Sequence, residues 1–138
     1  MTLTEEEATE HRNTFFRTYP GLKKWHRSVP DAAIDTRTLA GRRRIAVGRY
    51  TEKLNTPVQG TGADGLKRAL SLLWERRSEC PTVFPVLFVH DEIVVECPEA
   101  NAEQAKQWLT QAMIDGMAPL IDPVRVEVEA SIGRTWGG

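Results

Sequence analysis

Hydrophobic and polar positions alternate in the C-terminal half of the chain in a way that predicts strands. The segment 83–97 holds two short apolar runs that meet at Asp91 and Glu92, the pattern of a hairpin. Residues 124–132 alternate between apolar and polar positions, as in a strand with one solvated face. We therefore expect an antiparallel sheet made of the hairpin and this last strand.

The N-terminal half predicts helices and one short hairpin. Thr4 and Glu7 have the spacing of a capping box, so a helix is expected over residues 5–18. Pro20 suits the first turn of a second, short helix. Residues 29–48 contain two glycines and a proline around β-prone pieces, which favours a loop with a small hairpin.

Two longer helices carry the predicted core. One is expected to begin near Pro57, with Asn55 or Thr56 as its N-cap, and the other covers 99–117. Their apolar positions recur three and four residues apart, as on one face of a helix. The predicted inward residues are Leu66, Ala69, Leu70, Leu73 and Trp74 on the first helix and Ala105, Trp108, Leu109, Ala112 and Met113 on the second. The predicted fold class is α+β, with an antiparallel sheet of at least three strands covered by helices on one face.

Three glycines stand near the start of the first of these helices. Gly60, Gly62 and Gly65 lie within six residues, and each costs about 1 kcal/mol relative to alanine inside a helix. Their concentration indicates either a loose first turn or a place where another backbone comes very close.

Composition restricts the class of protein. The chain has 138 residues, of which 41% are hydrophobic, and a formal net charge of −1, which suits one folded domain rather than a disordered chain. No apolar stretch is long enough to cross a membrane, and the acidic first residues do not resemble a signal peptide. Cys80 and Cys97 lack the spacing of a metal motif, so we expect free thiols in a reducing, cytoplasmic compartment.

Charge is unevenly distributed along the chain. Residues 42–77 hold nine Lys and Arg against three acids, whereas residues 91–130 hold nine acids against two basic residues. This asymmetry can indicate a polyanion-binding surface beside a cation-binding one. It fits equally well with two solvated faces whose charges balance.

Three ionisable side chains, His90, Asp91 and Glu92, occupy the bend of the apolar hairpin. A carboxylate held between two stiff strands has a fixed position, which suits a metal ligand. Mg²⁺ takes oxygen ligands and keeps several waters, so one or two carboxylates plus substrate phosphates suffice. Two such ions about 4 Å apart commonly promote phosphoryl transfer. The residue types alone also fit an ordinary polar turn.

Several motifs occur together in a fixed order. VHDE stands between hydrophobic strands, NTPVQGTGADGLKRAL precedes it, and TRTLAGRRRI comes earlier still. The chain opens with EEEATEHRNTFFRTYPGLKKW and closes with VEVEASIGRTW. In this order the motifs resemble the C-terminal part of family A DNA polymerases, the bacterial DNA polymerase I type, and they cover nearly the whole chain.

The resemblance implies a partial polymerase domain. Residues 1–54 would hold the end of the fingers and a connecting loop, and residues 55–138 the C-terminal part of the palm. The hairpin 83–97 and the strand 124–132 would then belong to an antiparallel palm-type sheet. The implied activity is template-directed nucleotidyl transfer by a two-metal-ion mechanism, in DNA replication or repair.

The resemblance also assigns roles to the residues that match its motifs. Asp91 matches the catalytic, metal-binding aspartate of the palm hairpin, and Glu92 its neighbouring carboxylate, with two Mg²⁺ ions as the implied cofactor. His90 matches a residue beside the primer terminus. Asn55 and Gln59 match side chains that contact the minor groove of the duplex, where amides can donate to acceptors that every base pair presents.

Basic residues form a further part of the implied DNA contact. Thr51 stands where the family usually has an arginine, and Arg49 or Lys53 could take its place. Arg42 and Arg43 belong to the loop that resembles a family motif, and their charge suits phosphate contact. Simple solvation explains these two arginines equally well.

Two parts of the family's site have no counterpart in this sequence. These are the second metal-binding aspartate and the finger helix that holds the incoming nucleotide. We therefore expect that the chain alone does not polymerise DNA, because a two-ion site with one main carboxylate missing loses several kcal/mol of transition-state stabilisation. An N-terminal polymerase portion, in a longer enzyme or in a split partner, would supply them.

The expected partners follow from this reading. They are primer–template DNA, deoxynucleoside triphosphates in the complete enzyme, and the missing polymerase portion or a second copy bound at an exposed sheet edge. No membrane is involved, and the source is a bacterial cytoplasm or nucleoid, or a phage. The alternatives are a noncatalytic primer–template DNA-binding remnant and an unrelated α+β interaction module.

Overall fold

The helices and strands form an N-terminal helical pair, two hairpins and two long helices. The computed structural model describes residues 3–137, so residues 1–2 and 138 of the predicted single domain lie outside it. In chain order the elements are α1 (Glu5–Thr18), α2 (Pro20–Ser28), β1 (Ile34–Arg37), β2 (Arg43–Val47), α3 (Tyr50–Glu75), β3 (Phe84–Val89), β4 (Glu92–Glu96) and α4 (Ala102–Ile121). A short 3-10 turn, Glu99–Asn101, precedes α4. The predicted α+β class is confirmed.

The N-terminal helices form as predicted and reach the rest of the fold through aromatic rings. The amide of Glu7 donates to the Thr4 hydroxyl at 3.3 Å, and the amide of Thr4 donates to the Glu7 carboxylate at 2.8 Å, which completes the capping box. The ring centroids of Phe16 and His26 lie 5.3 Å apart and join α1 to α2. The Tyr50 hydroxyl donates to the carbonyl of His26 at 3.2 Å, which ties α2 to the start of α3.

Helix α3 begins at Tyr50, well before the predicted start near Pro57. Arg49 is its N-cap residue, so the prediction that Asn55 or Thr56 caps this helix is wrong. Pro57 lies inside the helix, where its ring removes one backbone donor. A proline that signals a helix start in the sequence is therefore accommodated here as an interior residue.

A buried lysine explains why α3 begins before this proline. Lys53 is 3% exposed, and its Nζ donates to the carbonyls of Pro30 at 2.8 Å and Asp31 at 3.0 Å. These contacts fix the first turns of α3 against the preceding loop. Tertiary packing therefore outweighs the local preference of Pro57 for the start of a helix. The predicted domain division at residues 54 and 55 falls inside this helix and stays a prediction.

The hydrophobic core lies between α3, α4 and β4. Its buried members are Ala69, Leu73, Cys80, Val83, Ile93, Ala105, Trp108, Leu109 and Ala112. The helical spacing predicted most of these, and Leu66, Leu70 and Met113 pack against them. Trp74 was expected to face inward, but its side chain is 69% exposed and the Arg77 guanidinium stacks over its indole at 4.3 Å. That one inward assignment is wrong.

Gly65 and Gly116 lie where α3 and α4 cross. A Cβ at Gly116 would stand 2.7 Å from the amide nitrogen of Ala69 and 2.8 Å from the carbonyl oxygen of Gly65. A Cβ at Gly65 would meet the side chain of Met117. The glycine-rich stretch of α3 is thus explained in part by a second backbone, that of α4, at very short range.

Two separate two-stranded antiparallel sheets form among the described residues. Strands β1 and β2 make the small hairpin expected within residues 29–48, and β3 and β4 make the hairpin expected within residues 83–97. The expected third strand over 124–132 is wrong, because residues 124–130 form no strand. The sheet of at least three strands is therefore not present within residues 3–137.

The alternating segment packs on a helix instead of in a sheet. Val126, Val128 and Ala130 are half-buried, whereas the charged residues between them are exposed. Val128 and Ala130 line one shallow depression with Lys106 and Gln107 of α4. A strand needs a neighbouring strand to pair with its backbone, and among the described residues none lies alongside this segment.

Helices cover β4 but leave β3 uncovered. Ile93 on β4 is 6% exposed, whereas Phe88, its cross-strand partner, is 61% exposed. All six residues of β3 are exposed, Phe84 and Val86 among them. We call β3 the uncovered strand, because its apolar side chains are left in solvent.

None of the helices described within residues 3–137 combines the length and apolarity needed to span a bilayer. Cys80 and Cys97 are both free thiols, as expected from their spacing. Cys80 is buried, and this burial raises the pKa of its thiol.

Candidate active site

The bend of the β3–β4 hairpin presents the three predicted ionisable side chains. The turn falls at His90 and Asp91, and Glu92 is the first residue of β4. His90 has a φ of 55°, in the left-handed region that few non-glycine residues adopt. The buried Ile93 follows directly and fixes this end of the hairpin to the core. A short, anchored bend therefore carries these side chains.

The two carboxylates at the bend have different surroundings. Asp91 is exposed, and no ion pair or hydrogen bond involves its side chain within residues 3–137. Glu92 is also exposed, but its Oε1 accepts a hydrogen bond from the indole Nε1 of Trp136 at 2.9 Å. Asp91 is thus turned neither inward nor toward a lysine or arginine, and its oxygens are open to a ligand.

The donor set fits a magnesium ion only in part. Asp91 and Glu92 offer carboxylate oxygens on consecutive residues, the ligand type that Mg²⁺ prefers. Among the described residues, however, no group of three His, Cys, Asp or Glu side chains is arranged to hold a metal ion. The bend can supply one or two ligands, and further ligands have to come from water, substrate phosphate or other protein.

Asn55 and Gln59 lie one turn apart on α3 and are both exposed. Residues four apart share a helix face, so the two amides point to the same side. Gly62 continues this face and has open space where a side chain would be. We call Asn55, Gln59 and Gly62 the amide stripe: two polar side chains and a patch of bare backbone.

Arg42 is turned toward the fold. Its Nε donates to the Asp64 carboxylate at 2.7 Å, and its Nη2 donates to the Gly60 carbonyl at 3.0 Å. Burial raises the pKa of the Asp64 carboxyl, but the Thr38 hydroxyl and the Arg42 guanidinium lower it by more, so the pKa lies below its ordinary value. Arg42 therefore clamps the β1–β2 loop to α3 one residue from Gln59, and its DNA contact stays a prediction.

Gly60 makes this clamp possible. A Cβ at Gly60 would lie 2.6 Å from the methyl group of Thr38, so a side chain there would push the loop away. The Thr61 hydroxyl also accepts a hydrogen bond from the amide of Leu39 at 2.9 Å. The β1–β2 loop is therefore held to α3 at several adjacent points.

The remaining predicted basic residues differ in solvent exposure and in the partners of their side chains. The Arg43 guanidinium pairs with the exposed Asp35 and holds the pKa of that carboxyl below its ordinary value. Arg49 has a side chain that is 84% exposed and only a long 3.9 Å ion pair with Glu52. Lys53 is buried and bound to two carbonyls, so of the two substitutes for the family's arginine only Arg49 lies on the surface.

The comparisons with known proteins agree with these motifs. The chain belongs to DNA polymerase family A, whose sequence profile matches residues 1–138. It is 36% identical over 138 residues to DNA polymerase I of Aquifex aeolicus (strain VF5), covering 95% of this chain and 24% of that protein. It is 32% identical over 150 residues to the thermostable DNA polymerase I of Thermus aquaticus, covering 99% of this chain and 18% of that protein. The chain thus spans about a quarter or less of the length of these relatives.

Two contacts at the candidate site were not predicted from the sequence. Trp136 bonds to Glu92 across 44 positions, and Arg42 to Asp64 across 22 positions. No local spacing links such distant residues. The only sequence signal was indirect, since a tryptophan near an otherwise polar tail is an unusual residue to leave without a contact.

Proposed function

We propose that this chain is the C-terminal palm piece of a DNA-directed DNA polymerase, with Asp91 as a catalytic metal ligand. The observation that carries the proposal is the free carboxylate of Asp91 at a hairpin bend anchored by the buried Ile93. Asp91 and the adjacent Glu92 would hold Mg²⁺ together with substrate phosphates. The bound ions would activate the primer 3′ hydroxyl and share the charge that develops on the phosphorus.

The hairpin contributes position rather than reactivity. Asp91 need not move when the ion arrives, because the strands on either side of the bend are already paired: Val89 lies opposite Glu92 and Phe88 opposite Ile93. A ligand fixed in advance costs less ordering free energy on binding than a mobile one. His90, exposed beside it, is suited to donate a hydrogen bond to a phosphate or a base at the primer end.

The amide stripe on α3 would contact the duplex. Asn55 and Gln59 are exposed on one face, and side-chain amides can donate to the purine N3 and pyrimidine O2 atoms of the minor groove. Because all base pairs present these acceptors, such contacts test pair geometry without selecting a sequence. Arg49 and Arg43 have exposed side chains that would contact phosphate.

We further propose that residues outside these 138 complete the site. The bend provides at most two neighbouring carboxylates, whereas two-ion catalysis needs an opposing ligand. The uncovered strand β3 supports this view, because exposed Phe84, Val86 and Phe88 are what a palm sheet would show without its neighbour. The chain alone is therefore inactive, and a cytoplasmic polymerase forms when the other portion is present.

The test is reconstitution of primer extension. The chain and a polymerase piece that carries the second aspartate and the finger helix are mixed with primer–template DNA, Mg²⁺ and deoxynucleoside triphosphates. We expect extension in the mixture and none with either piece alone. Asp91→Ala should abolish it, whereas Asp31→Ala, at an exposed aspartate in the loop before β1, should not. Extension that survives Asp91→Ala would refute the catalytic assignment.

The same experiment separates the proposal from its alternative, a noncatalytic DNA-binding remnant. The exposed amide stripe and Arg49 favour DNA contact under both readings. A remnant would bind primer–template, lose affinity on Gln59→Ala, and never support extension with any complementary piece. A catalytic palm piece would show both binding through Gln59 and extension that depends on Asp91.

A further inference from the structure

The C-terminal tail meets the bend of the hairpin at a single polar contact. The indole Nε1 of Trp136 donates to Glu92 Oε1 at 2.9 Å, although the two residues are 44 positions apart. Trp136 itself is 59% exposed, so this contact is not a consequence of burial in the core. It is a directed hydrogen bond from the tail to one of the two carboxylates beside the proposed metal site.

We propose that Trp136 is a positioning residue that orients the Glu92 carboxylate for metal binding at the bend. This inference rests on the proposed function, since it assumes that Asp91 and Glu92 hold the ion. Trp136 closes the motif VEVEASIGRTW, but the resemblance assigned it no role, so the proposal gives the tail a role in the site.

The chemistry of the contact supports this role. Indole has one N–H and no acceptor, so it can only donate to a Glu92 oxygen and cannot compete for the ion. The bond occupies Oε1 and leaves Oε2 with its lone pairs available. A free glutamate side chain samples many rotamers and loses that freedom on coordination, and the indole removes part of this cost beforehand.

The contact also gives the two carboxylates different roles. Asp91 has no partner within the described part of the chain and depends on the backbone of the bend for its position. Glu92 has a longer side chain and depends on Trp136. Partners that orient a ligand in this way commonly change metal affinity by about 10- to 100-fold. For an exposed pair we expect an effect of about three- to tenfold, below that range.

The hydrogen bond between Trp136 and Glu92 is tested first, without metal. In the ¹H–¹⁵N spectrum of the full chain, the indole signal of Trp136 is assigned by its loss in Trp136→Phe. We expect Glu92→Gln to shift this signal and Glu96→Gln, an exposed glutamate at the other end of β4, to leave it in place. An indole signal that is indifferent to Glu92→Gln would overturn the proposal.

Metal binding is then measured with Mn²⁺, a paramagnetic ion with the same preference for oxygen ligands. We expect Mn²⁺ to broaden the amide signals of residues 90–92 in the wild type and to need about three- to tenfold more ion in Trp136→Phe. Trp74→Phe, at an exposed tryptophan of α3, should behave like the wild type.

The outcomes distinguish this inference from the proposed function. If Asp91→Asn removes the broadening but Trp136→Phe does not weaken it, Trp136 has no positioning role and the metal site stands. If Asp91→Asn leaves the broadening unchanged, the proposed metal site fails and the inference fails with it. Weakening in Trp136→Phe, with Trp74→Phe unchanged and an indole signal that Glu92→Gln shifts, supports both.

Discussion

The crossing of α3 and α4 and the β3–β4 hairpin share one core but are packed in opposite ways. At the crossing, two backbones approach so closely that a Cβ at Gly116 would stand 2.7 Å from the amide of Ala69. In the hairpin, Ile93 is buried while its cross-strand partner Phe88 is 61% exposed. The helix crossing is therefore closely packed, whereas one strand of the hairpin beside it is left exposed.

This difference separates a closely packed part of the molecule from the part that carries the proposed site. The close helix crossing holds the hairpin through Ile93 and keeps the bend at Asp91 in place. The uncovered strand lies exposed at Phe88, the residue opposite this anchored Ile93 in the pairing. Changes at the crossing should affect folding, and changes at the hairpin should affect association and chemistry.

The largest effect on stability is expected at the crossing. Gly116→Ala adds a methyl group against the backbone of α3, and such overpacking typically costs about 1–3 kcal/mol. Gly62→Ala is the matched control, because its Cβ would meet open space and should raise stability by up to about 1 kcal/mol. Urea unfolding followed by circular dichroism measures both, and equal stability of the two variants would contradict the close crossing.

A smaller loss is expected at the clamp between the β1–β2 loop and α3. Arg42→Ala removes the partner of the buried Asp64 and should cost about 1–2 kcal/mol, allowing for the half-exposed Arg42 side chain. Arg43→Ala breaks an ion pair exposed on both sides and should cost less than about 1 kcal/mol. Thermal unfolding of the two variants at one ionic strength compares them. A larger loss of stability for Arg43→Ala would contradict the assignment of Arg42–Asp64 as the stronger of the two ion pairs.

Acidic pH should weaken the same contact between Arg42 and Asp64. The pKa of Asp64 lies below its ordinary value in the folded chain, so the unfolded state binds the proton first as pH falls. The stabilisation is therefore present above the unfolded pKa of about 3.9 and is lost as pH drops through the lower folded value. Unfolding curves between neutral and acidic pH should show a shallower acid loss in Asp64→Asn than in the wild type. Asp31→Asn should retain the full loss.

The smallest change in stability is expected at the uncovered strand, together with a clear change in association. Phe84 is 62% exposed and lies opposite Glu96, so Phe84→Lys replaces an apolar contact surface with a cross-strand charge pair. Stability should change by no more than about 0.5 kcal/mol. In sedimentation at tens of micromolar we expect the wild type to self-associate and Phe84→Lys to remain a monomer. A wild type that remains a monomer would contradict the expectation that the chain associates through β3.

Local signals in the sequence predicted most of the helices and both hairpins. The Thr4–Glu7 spacing, the apolar stripe of α4 and the polar bend between two apolar runs each concern residues close together in the chain. Such features depend on backbone propensity and periodicity, which a short window contains. The family resemblance then indicated Asp91, Asn55 and Gln59 as candidate site residues.

The failures share a different cause. The alternating residues 124–132 fit a strand, but a strand also needs a neighbour, and that information is not local. The start of α3 was misplaced because Pro57 resembles the first residue of a helix. The buried Lys53 instead holds helical turns that come before this proline. The contact of Trp136 with Glu92 joins residues 44 positions apart. Each of these depends on tertiary packing.

The most direct test of the central claim is the single-turnover rate of primer extension by the reconstituted enzyme as a function of Mg²⁺ concentration. We predict that Asp91→Asn lowers the rate by at least about 1,000-fold at saturating Mg²⁺, since losing a metal ligand removes several kcal/mol of transition-state stabilisation. Asp31→Asn should follow the wild-type curve. A rate for Asp91→Asn within about tenfold of the wild type would contradict the claim that this bend presents a catalytic metal ligand.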